Sequence, residues 1–303
     1  MRFPAADIAE FESDTNALLD CISQSYDDVV RDWLLLALSH ALATKVSLRW
    51  MGTGDNRFAL EIAKRSLRSI FISQLDVMVE KAQVYRALRG VGVIPRPTQT
   101  KFKVHDATTA SSIKAKSIDG IVTSPPYLPA ASGRETYLRS RAISLVALGL
   151  LTEKKILEKE KDILGSILAS PTLKRDAIPV SVQQLTSWMT GQRARDPKAL
   201  PTVAYFENLA ASLREMHRVL RPGGRAAIVV SKYHRFYELV SRKVVWEFDM
   251  SAAVAEVASD KRYGVGFIVD EIVDLELSKM DYVARPGAKG TYHESIVFLR
   301  RRT

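Results

Sequence analysis

Apolar positions in the first third of the chain recur at helical steps. Leu18, Leu19, Ile22, Tyr26, Val29, Val30 and Trp33 follow one another at three- and four-residue spacings, which predicts helix over 13–45. The run from Trp33 to Leu38 is apolar on every face and predicts a segment buried nearly all round. Cys21 falls inside the pattern and is expected to be a packed core thiol. Gly52-Thr53-Gly54 breaks the pattern. From Phe58 to about Leu88 there is neither Gly nor Pro, and Phe58, Ile62, Ile70, Leu75, Met78, Ala82 and Tyr85 fit one long helix, with an interruption near Ile70-Phe71-Ile72 as its variant. Gly90, Gly92, Pro95 and Pro97 then mark a loop.

The period changes after residue 100. Phe102 to Asp106 is a short alternating stretch, and Ile118 to Thr123 reads as a buried strand ending in a Pro-Pro turn. Residues 128–203 carry short helical patterns and the charge-rich run Glu153 to Lys161, too long for a simple loop, and predict an inserted helical cap. A helix–turn–strand unit follows: Phe206, Leu209, Leu213, Met216 and Leu220 step helically, Arg221-Pro222-Gly223-Gly224 ends the helix, and Ala226 to Val230 is a buried strand. Phe267 to Leu277 and Ser295 to Leu299 predict two more strands. Strands alternating with helices predict an α/β sheet that binds its ligand at the carboxyl ends of the strands. The expected organisation is a single domain over 1–303: a helical N-terminal part (1–98), a catalytic sheet (99–127 and 204–303), and a cap (128–203) concerned with target recognition.

Composition narrows the class. The formal charge of +10 over 303 residues is compatible with a polyanionic partner and equally with a basic, well-solvated surface. No run of eighteen apolar residues predicts a membrane span, the N-terminus lacks the apolar stretch of a signal peptide, and one cysteine makes no internal disulfide. These features together predict a cytoplasmic protein without membrane contact. His40, His105 and His293 have no metal-ligand spacing, so no metal is expected.

The chemistry concentrates in Thr123-Ser124-Pro125-Pro126-Tyr127. Consecutive prolines fix two φ angles and remove two backbone donors, which leaves rigid carbonyl acceptors beside the Ser124 hydroxyl. Such a loop suits an NH2 group, which offers two donors. Tyr127 adds an aromatic face on which a base can stack, worth about 1–3 kcal/mol. An exocyclic amine is a poor nucleophile because its lone pair is delocalised into the ring. Acceptors around the nitrogen draw it toward tetrahedral geometry, and catalysis is then positioning and electrostatics. The base must leave the duplex to reach such a pocket.

Asp119 to Tyr127 resembles motif IV of the amino-group DNA methyltransferases, and Arg218-Val219-Leu220-Arg221-Pro222-Gly223-Gly224 resembles the helix-end segment that follows it in that family. The resemblance implies a Rossmann-like S-adenosylmethionine-dependent methyltransferase fold, here with a helical N-terminal segment and an inserted helical cap. It also implies a mostly parallel seven-stranded sheet with an antiparallel final pair. Ser124, Pro125, Pro126 and Tyr127 are the implied catalytic residues, S-adenosylmethionine the cofactor and DNA the partner, within a restriction–modification or related defence system. Ser at the first motif position is commoner in cytosine-N4 than in adenine-N6 enzymes. An RNA guanine-N2 methyltransferase and a non-catalytic nucleic-acid-binding subunit are the alternatives.

Asp106, Thr123, Gly52 and Gly54 are the candidate cofactor contacts. A strand-end acid such as Asp106 can accept from the adenine amino group; a turn or helix-cap Asp is the plain alternative. The Gly-rich turn usual in the family is missing, and Val46 to Asp55, a candidate strand with Gly52-x-Gly54 before a helix, is its stand-in. Asp76 is then a ribose-binding candidate if the long helix breaks near Ile70. In the other arrangement the Gly-rich half lies on a second chain, and the first ninety-odd residues are a spacer. Arg134, Arg139, Arg141 and Lys232 are candidate nucleic-acid contacts, with Tyr233 and His234 as further pocket candidates and His217 as a structural residue. Cys21 is not in a Pro-Cys loop, which argues against carbon-5 cytosine chemistry.

Overall fold

The structure is a computed structural model describing residues 5–50, 58–94, 101–110, 112–126, 128, 138, 141–166, 168–172, 178–192, 195–238, 241, 243–277 and 292–303. Among them no helix is long and apolar enough to cross a membrane. The chain forms two compact units, residues 1–103 with 137–159 and residues 104–136 with 160–303.

Helices build the first unit. The expected helix over 13–45 is two helices, α1 (Ala5–Ser23) and α2 (Asp28–Lys45). The break is chemical: Asp27 caps α2, its carboxylate accepting from the amides of Val29 at 2.8 Å and Val30 at 3.0 Å. The apolar stripe continues past the turn, but only part of it faces the core. Ile22, Ala37, Leu38, Ala41 and Leu42 are buried against Leu67, Ile70 and Phe71 of α3 (Leu67–Gly90), while Tyr26, Val29, Val30, Trp33 and Leu36 are exposed. The run 33–38 is therefore buried only at Ala37 and Leu38, and Cys21 is an exposed thiol.

Residues 58–62 are strand rather than helix. β1 (Val46–Trp50) and β2 (Phe58–Ile62) pair antiparallel, Val46 opposite Ile62 and Trp50 opposite Phe58. Lys45 at the end of α2 is buried, and its Nζ donates to the carbonyls of Ala63 and Arg65, each at 2.9 Å. The ammonium thus finds two acceptors in the turn that precedes α3. Ser66 caps α3, which runs unbroken through Ile70. Two short helices, α4 (Ala142–Ala147) and α5 (Glu153–Glu160), follow. Buried Ser144 of α4 donates to the carbonyl of Ser39 on α2 at 3.0 Å. A cavity of about 710 Å³ in this unit is lined chiefly by apolar side chains, among them Phe11, Leu19, Ile143 and Ile156, with Glu12 and Glu153 also in its wall.

The second unit carries a four-stranded sheet in the order β3-β4-β8-β7. β3 (Ile118–Thr123) and β4 (Leu220–Ser231) run parallel; β8 (Tyr292–Arg300) is antiparallel to both β4 and β7 (Ile268–Leu277). The final pair is antiparallel as expected, but among the described residues the sheet has four strands rather than seven, and only one of its three pairings, β3–β4, is parallel. β5 (Tyr233–Tyr237) and β6 (Val244–Asp249) form a separate hairpin. Helices α6 (Val180–Met189), α7 (Asp196–Val219) and α8 (Met250–Ser259) complete the core. Tyr205, Phe206, Leu209 and Leu213 of α7 join Ile228, Val254, Val297 and Leu299 in a single apolar cluster. Residues 101–106 are not strand; Phe102 and Val104 are fully exposed, so the alternating pattern there has no sheet behind it.

Residues 221–224, at the start of β4 directly after α7, form an irregularity in its pairing with β3. Gly223 adopts φ +75, and a Cβ on Gly224 would lie 2.9 Å from the carbonyl of Arg221 and 3.2 Å from that of Asp119 in β3. Arg301 donates to the carbonyls of Arg218 at 3.1 Å and Leu220 at 2.5 Å, occupying orphan acceptors at the end of α7. Arg221 pairs with Asp119 at 2.6 Å, and Arg218 reaches the carbonyl of Ala110 at 3.1 Å. The Arg-Val-Leu-Arg-Pro-Gly-Gly segment therefore fixes the start of β3 as well as ending its own helix.

Candidate active site

Because β3 and β4 are parallel, their carboxyl ends open on the same side of the sheet. Thr123 is the last residue of β3, opposite Ile228 of β4, and Ser124-Pro125-Pro126 leaves the sheet there. Ser124 is exposed, and Pro125 and Pro126 are half-buried. Two contacts hold the loop. Tyr205, only 1% exposed in the middle of α7, donates its hydroxyl to the carbonyl of Pro126 at 2.9 Å. Leu128 is fully buried in the apolar cluster. Neither residue belongs to the sequence-predicted site. Tyr205 lies one position off the stripe through Phe206, Leu209 and Leu213, and the signal that marks it is general: a buried Tyr hydroxyl finds a partner.

The loop is thus rigid for two reasons. The prolines fix its φ angles, and α7 holds one of its carbonyls from behind. The Ser124 hydroxyl stays on the solvent side. An NH2 group offered to this strand end meets acceptors that need no reorganisation.

At the end of β4, one step beyond Ser231, Lys232 is ion-paired with Asp274 of β7. Buried Ser295 of β8 donates to the same carboxylate at 2.7 Å. The hydrogen bond from Lys232, then that from Ser295, holds Asp274 below the ordinary carboxylate range, and the Asp274 bond raises Lys232. The candidate phosphate contact therefore already has an acid partner. Tyr233 lies under the same ammonium, 5.1 Å from ring centroid to Nζ. His234 points away into the core, and burial pushes it down to about 4. His217 packs edge-on to Phe267 at 4.9 Å and is lowered by burial, then by Arg301, consistent with a structural role.

The remaining candidates separate. Asp106 is exposed and closes its own turn, accepting from the amide of Thr108 at 2.8 Å and its hydroxyl at 2.7 Å. Asp76 sits on the unbroken surface of α3 rather than at a strand end. Arg141 is exposed at the start of α4 in the first unit. Tyr127, Arg134, Arg139, Gly52 and Gly54 lie outside the described residues. After the two glycines, Phe58–Ile62 forms strand β2, antiparallel to β1, where the sequence predicts a helix. Among the described residues no cluster of His, Cys, Asp and Glu suits a metal ion.

No protein-family model matches the sequence, and no curated protein does. Solved structures similar to it include a Thermus thermophilus protein provisionally assigned as a DNA modification methylase, in complex with S-adenosyl-L-methionine. It is 19% identical, with 66% of this chain and 54% of that one covered and a TM-score of 0.35. A SAM-dependent methyltransferase from Methanosarcina mazei is 10% identical over 72% of this chain and 75% of its own, at a TM-score of 0.30. A 16S rRNA (adenine(1408)-N(1))-methyltransferase mutant from Catenulisporales acidiphilia is 10% identical over 67% and 96%, at a TM-score of 0.24. This chain spans about half the length of the Thermus protein.

Proposed function

We propose that this chain serves in methyl transfer from S-adenosylmethionine to the exocyclic amine of a flipped-out base in DNA, cytosine N4 ahead of adenine N6. The observation that carries the reading is the Ser124-Pro125-Pro126 loop at the carboxyl end of a parallel strand, pinned from behind by Tyr205. The Ser124 hydroxyl and the carbonyls of the loop accept the two N–H bonds of the amine, orient its lone pair outward and hold the base at the sheet edge. Tyr127, next in the chain, is the stacking residue of the same reading. Ser at the first motif position is what favours cytosine over adenine.

The described residues do not form a cradle for the methyl donor. Asp106 is committed to its own turn. β3 has a neighbour on one side only among the described residues, and Val122 within it is 83% exposed. Parallel strands are ordinarily covered, and ligands of open α/β sheets sit where a strand has neighbours on both sides. We therefore assign the donor's glycine-rich loop to a second methyltransferase half on a partner chain.

The test is tritiated methyl transfer to DNA, by the chain alone and with the product of an adjacent reading frame that carries the glycine-rich loop. Activity only in the pair, abolished by Ser124→Ala with salt-sensitive DNA binding intact, is the expected result. Transfer by the chain alone overturns the need for a partner. Unchanged turnover in Ser124→Ala and Tyr127→Ala overturns the assignment of the loop. Binding without transfer in the pair favours a non-catalytic subunit.

A further inference from the structure

The first unit carries two apolar helix faces that nothing among the described residues covers. On α2, Val29, Trp33 and Leu36 follow at i, i+4 and i+7, joined by Val30 and by Tyr26 just before the cap; their exposures run from 42% at Trp33 to 106% at Tyr26. On α3 the second half of the helix, from Asp76 onward, is solvated on nearly every side. Val77, Val84, Tyr85 and Leu88 are all exposed there. A half-helix with so little packing gains little stability from its own hydrogen bonds, and contiguous exposed apolar surface marks an interaction site.

The α2 face and the last turns of α3 have opposite charge. Residues 5–36 hold eight carboxylates against Arg31 as their one cation, and Arg31 is already paired with Asp28 at 2.6 Å. Asp27, Asp28 and Asp32 flank the α2 face. The α3 face begins beside Asp76 and Glu80 and becomes basic beyond them: Lys81, Arg86 and Arg89 flank Val84, Tyr85 and Leu88 with no acid from 81 to 90, and Arg89 lies over the Tyr85 ring at 5.9 Å. In a chain of net charge +10, the acidic α1–α2 surface repels nucleic acid, whereas it matches the basic face of α3.

We propose that these faces meet across a two-fold axis in a homodimer, α2 of each copy packing on the second half of α3 of the other. A helix pair of one copy cannot bring its own two outward faces together, but a two-fold partner can, because in such an interface residue i meets j while j meets i. The apolar stripes supply the buried centre, Trp33 and Tyr85 its aromatic anchors, and the Asp and Lys/Arg rims its register. Two equivalent contacts form per dimer.

Sedimentation velocity and light scattering on the purified chain at about 50 μM, roughly the range where modest interfaces are populated, test this without reference to catalysis. The expected mass is that of two chains, falling toward one as salt rises. Trp33→Glu and Tyr85→Glu each give the single-chain mass with the helical circular dichroism kept, since both side chains are exposed. Mixing the two variants restores dimer in part, because one of the two contacts, wild-type α2 against wild-type α3, is then intact. A wild-type chain at single-chain mass overturns the proposal and leaves the faces to a different partner. So does a dimer that survives both substitutions, or one that the mixture fails to restore.

Discussion

The hydroxyl of Tyr205 donates to the carbonyl of Pro126 at 2.9 Å, across 79 positions of sequence. The bond joins the middle of α7 to the loop at the end of β3. It means that the helix preceding the Pro-Gly-Gly segment does more than pack on the sheet: it also fixes a carbonyl of the Ser124-Pro125-Pro126 loop.

Tyr205→Phe keeps the ring, its edge-on contact with Phe206 at 5.2 Å and the volume of the core. It removes only the hydroxyl. The loss in stability is expected to be about 1 kcal/mol, the ordinary net worth of one hydrogen bond, read from urea unfolding. In an active preparation, kcat should fall about tenfold, equivalent to about 1.4 kcal/mol at the transition state, while KM for the methyl donor stays put. A variant with wild-type kcat would show that the prolines alone hold the loop.

The two glycines after α7 should respond differently to a methyl group. At Gly223 the obstacle is backbone: φ is +75 with open space around the new Cβ, so Gly223→Ala costs about 1–2 kcal/mol. At Gly224 the obstacle is contact, with backbone oxygens of Arg221 at 2.9 Å and Asp119 at 3.2 Å. Neither oxygen can swing away, because one belongs to the turn and the other to β3. Gly224→Ala should therefore cost more, about 2–4 kcal/mol, and loosen the β3–β4 pairing. Thermal unfolding of the two variants side by side checks the order.

Lys232 is a candidate nucleic-acid contact that already has a partner in Asp274. A lysine shared with a carboxylate releases little counterion from DNA. Lys232→Gln should leave the slope of log K against log salt nearly unchanged, whereas Asp274→Asn should steepen it by about one charge equivalent as the ammonium is freed. A drop of about one in the Lys232→Gln slope would instead mark an existing phosphate contact.

The second unit was more legible in the sequence than the first, for physical reasons. Helix and strand around Arg221-Pro222-Gly223-Gly224 announce themselves because periodicity, turn chemistry and burial agree there: Phe206, Leu209 and Leu213 are buried, and Gly223 takes the φ that only glycine adopts freely. In the first unit, apolar periodicity ran past the core. Val29, Trp33 and Leu36 continue a helical stripe yet face outward, and the Asp27 cap that divides the helix is one residue in an otherwise helical pattern. Phe58 to Ile62 is a short apolar run whose period cannot separate strand from helix, and its pairing with Val46 to Trp50 decided the matter. The position of Ser124 to Pro126 as a turn at the end of β3 could be read from local chemistry alone. Tyr205 could not, because its hydrogen bond is non-local.

His234 makes stability depend on pH. Burial in the core pushes its pKa down from 6.5 to about 4, so the folded protein keeps the ring neutral where the unfolded chain protonates it. Between those two values the unfolded state binds more protons, and stability must rise with pH. The contribution is complete above about pH 6.5, declines as the pH falls and is gone below about pH 4. Its full size is about 3 kcal/mol for a shift of this extent. Urea midpoints measured from pH 7.5 down to pH 4 should fall accordingly in the wild-type chain, and the fall should shrink in His234→Phe, whose ring carries no proton-binding nitrogen. Surface carboxylates also titrate near the lower limit, so the diagnostic quantity is the difference between the two chains from about pH 6.5 to pH 5. Parallel curves there would mean that His234 is solvated when folded and that the β5–β6 hairpin does not seal it from water.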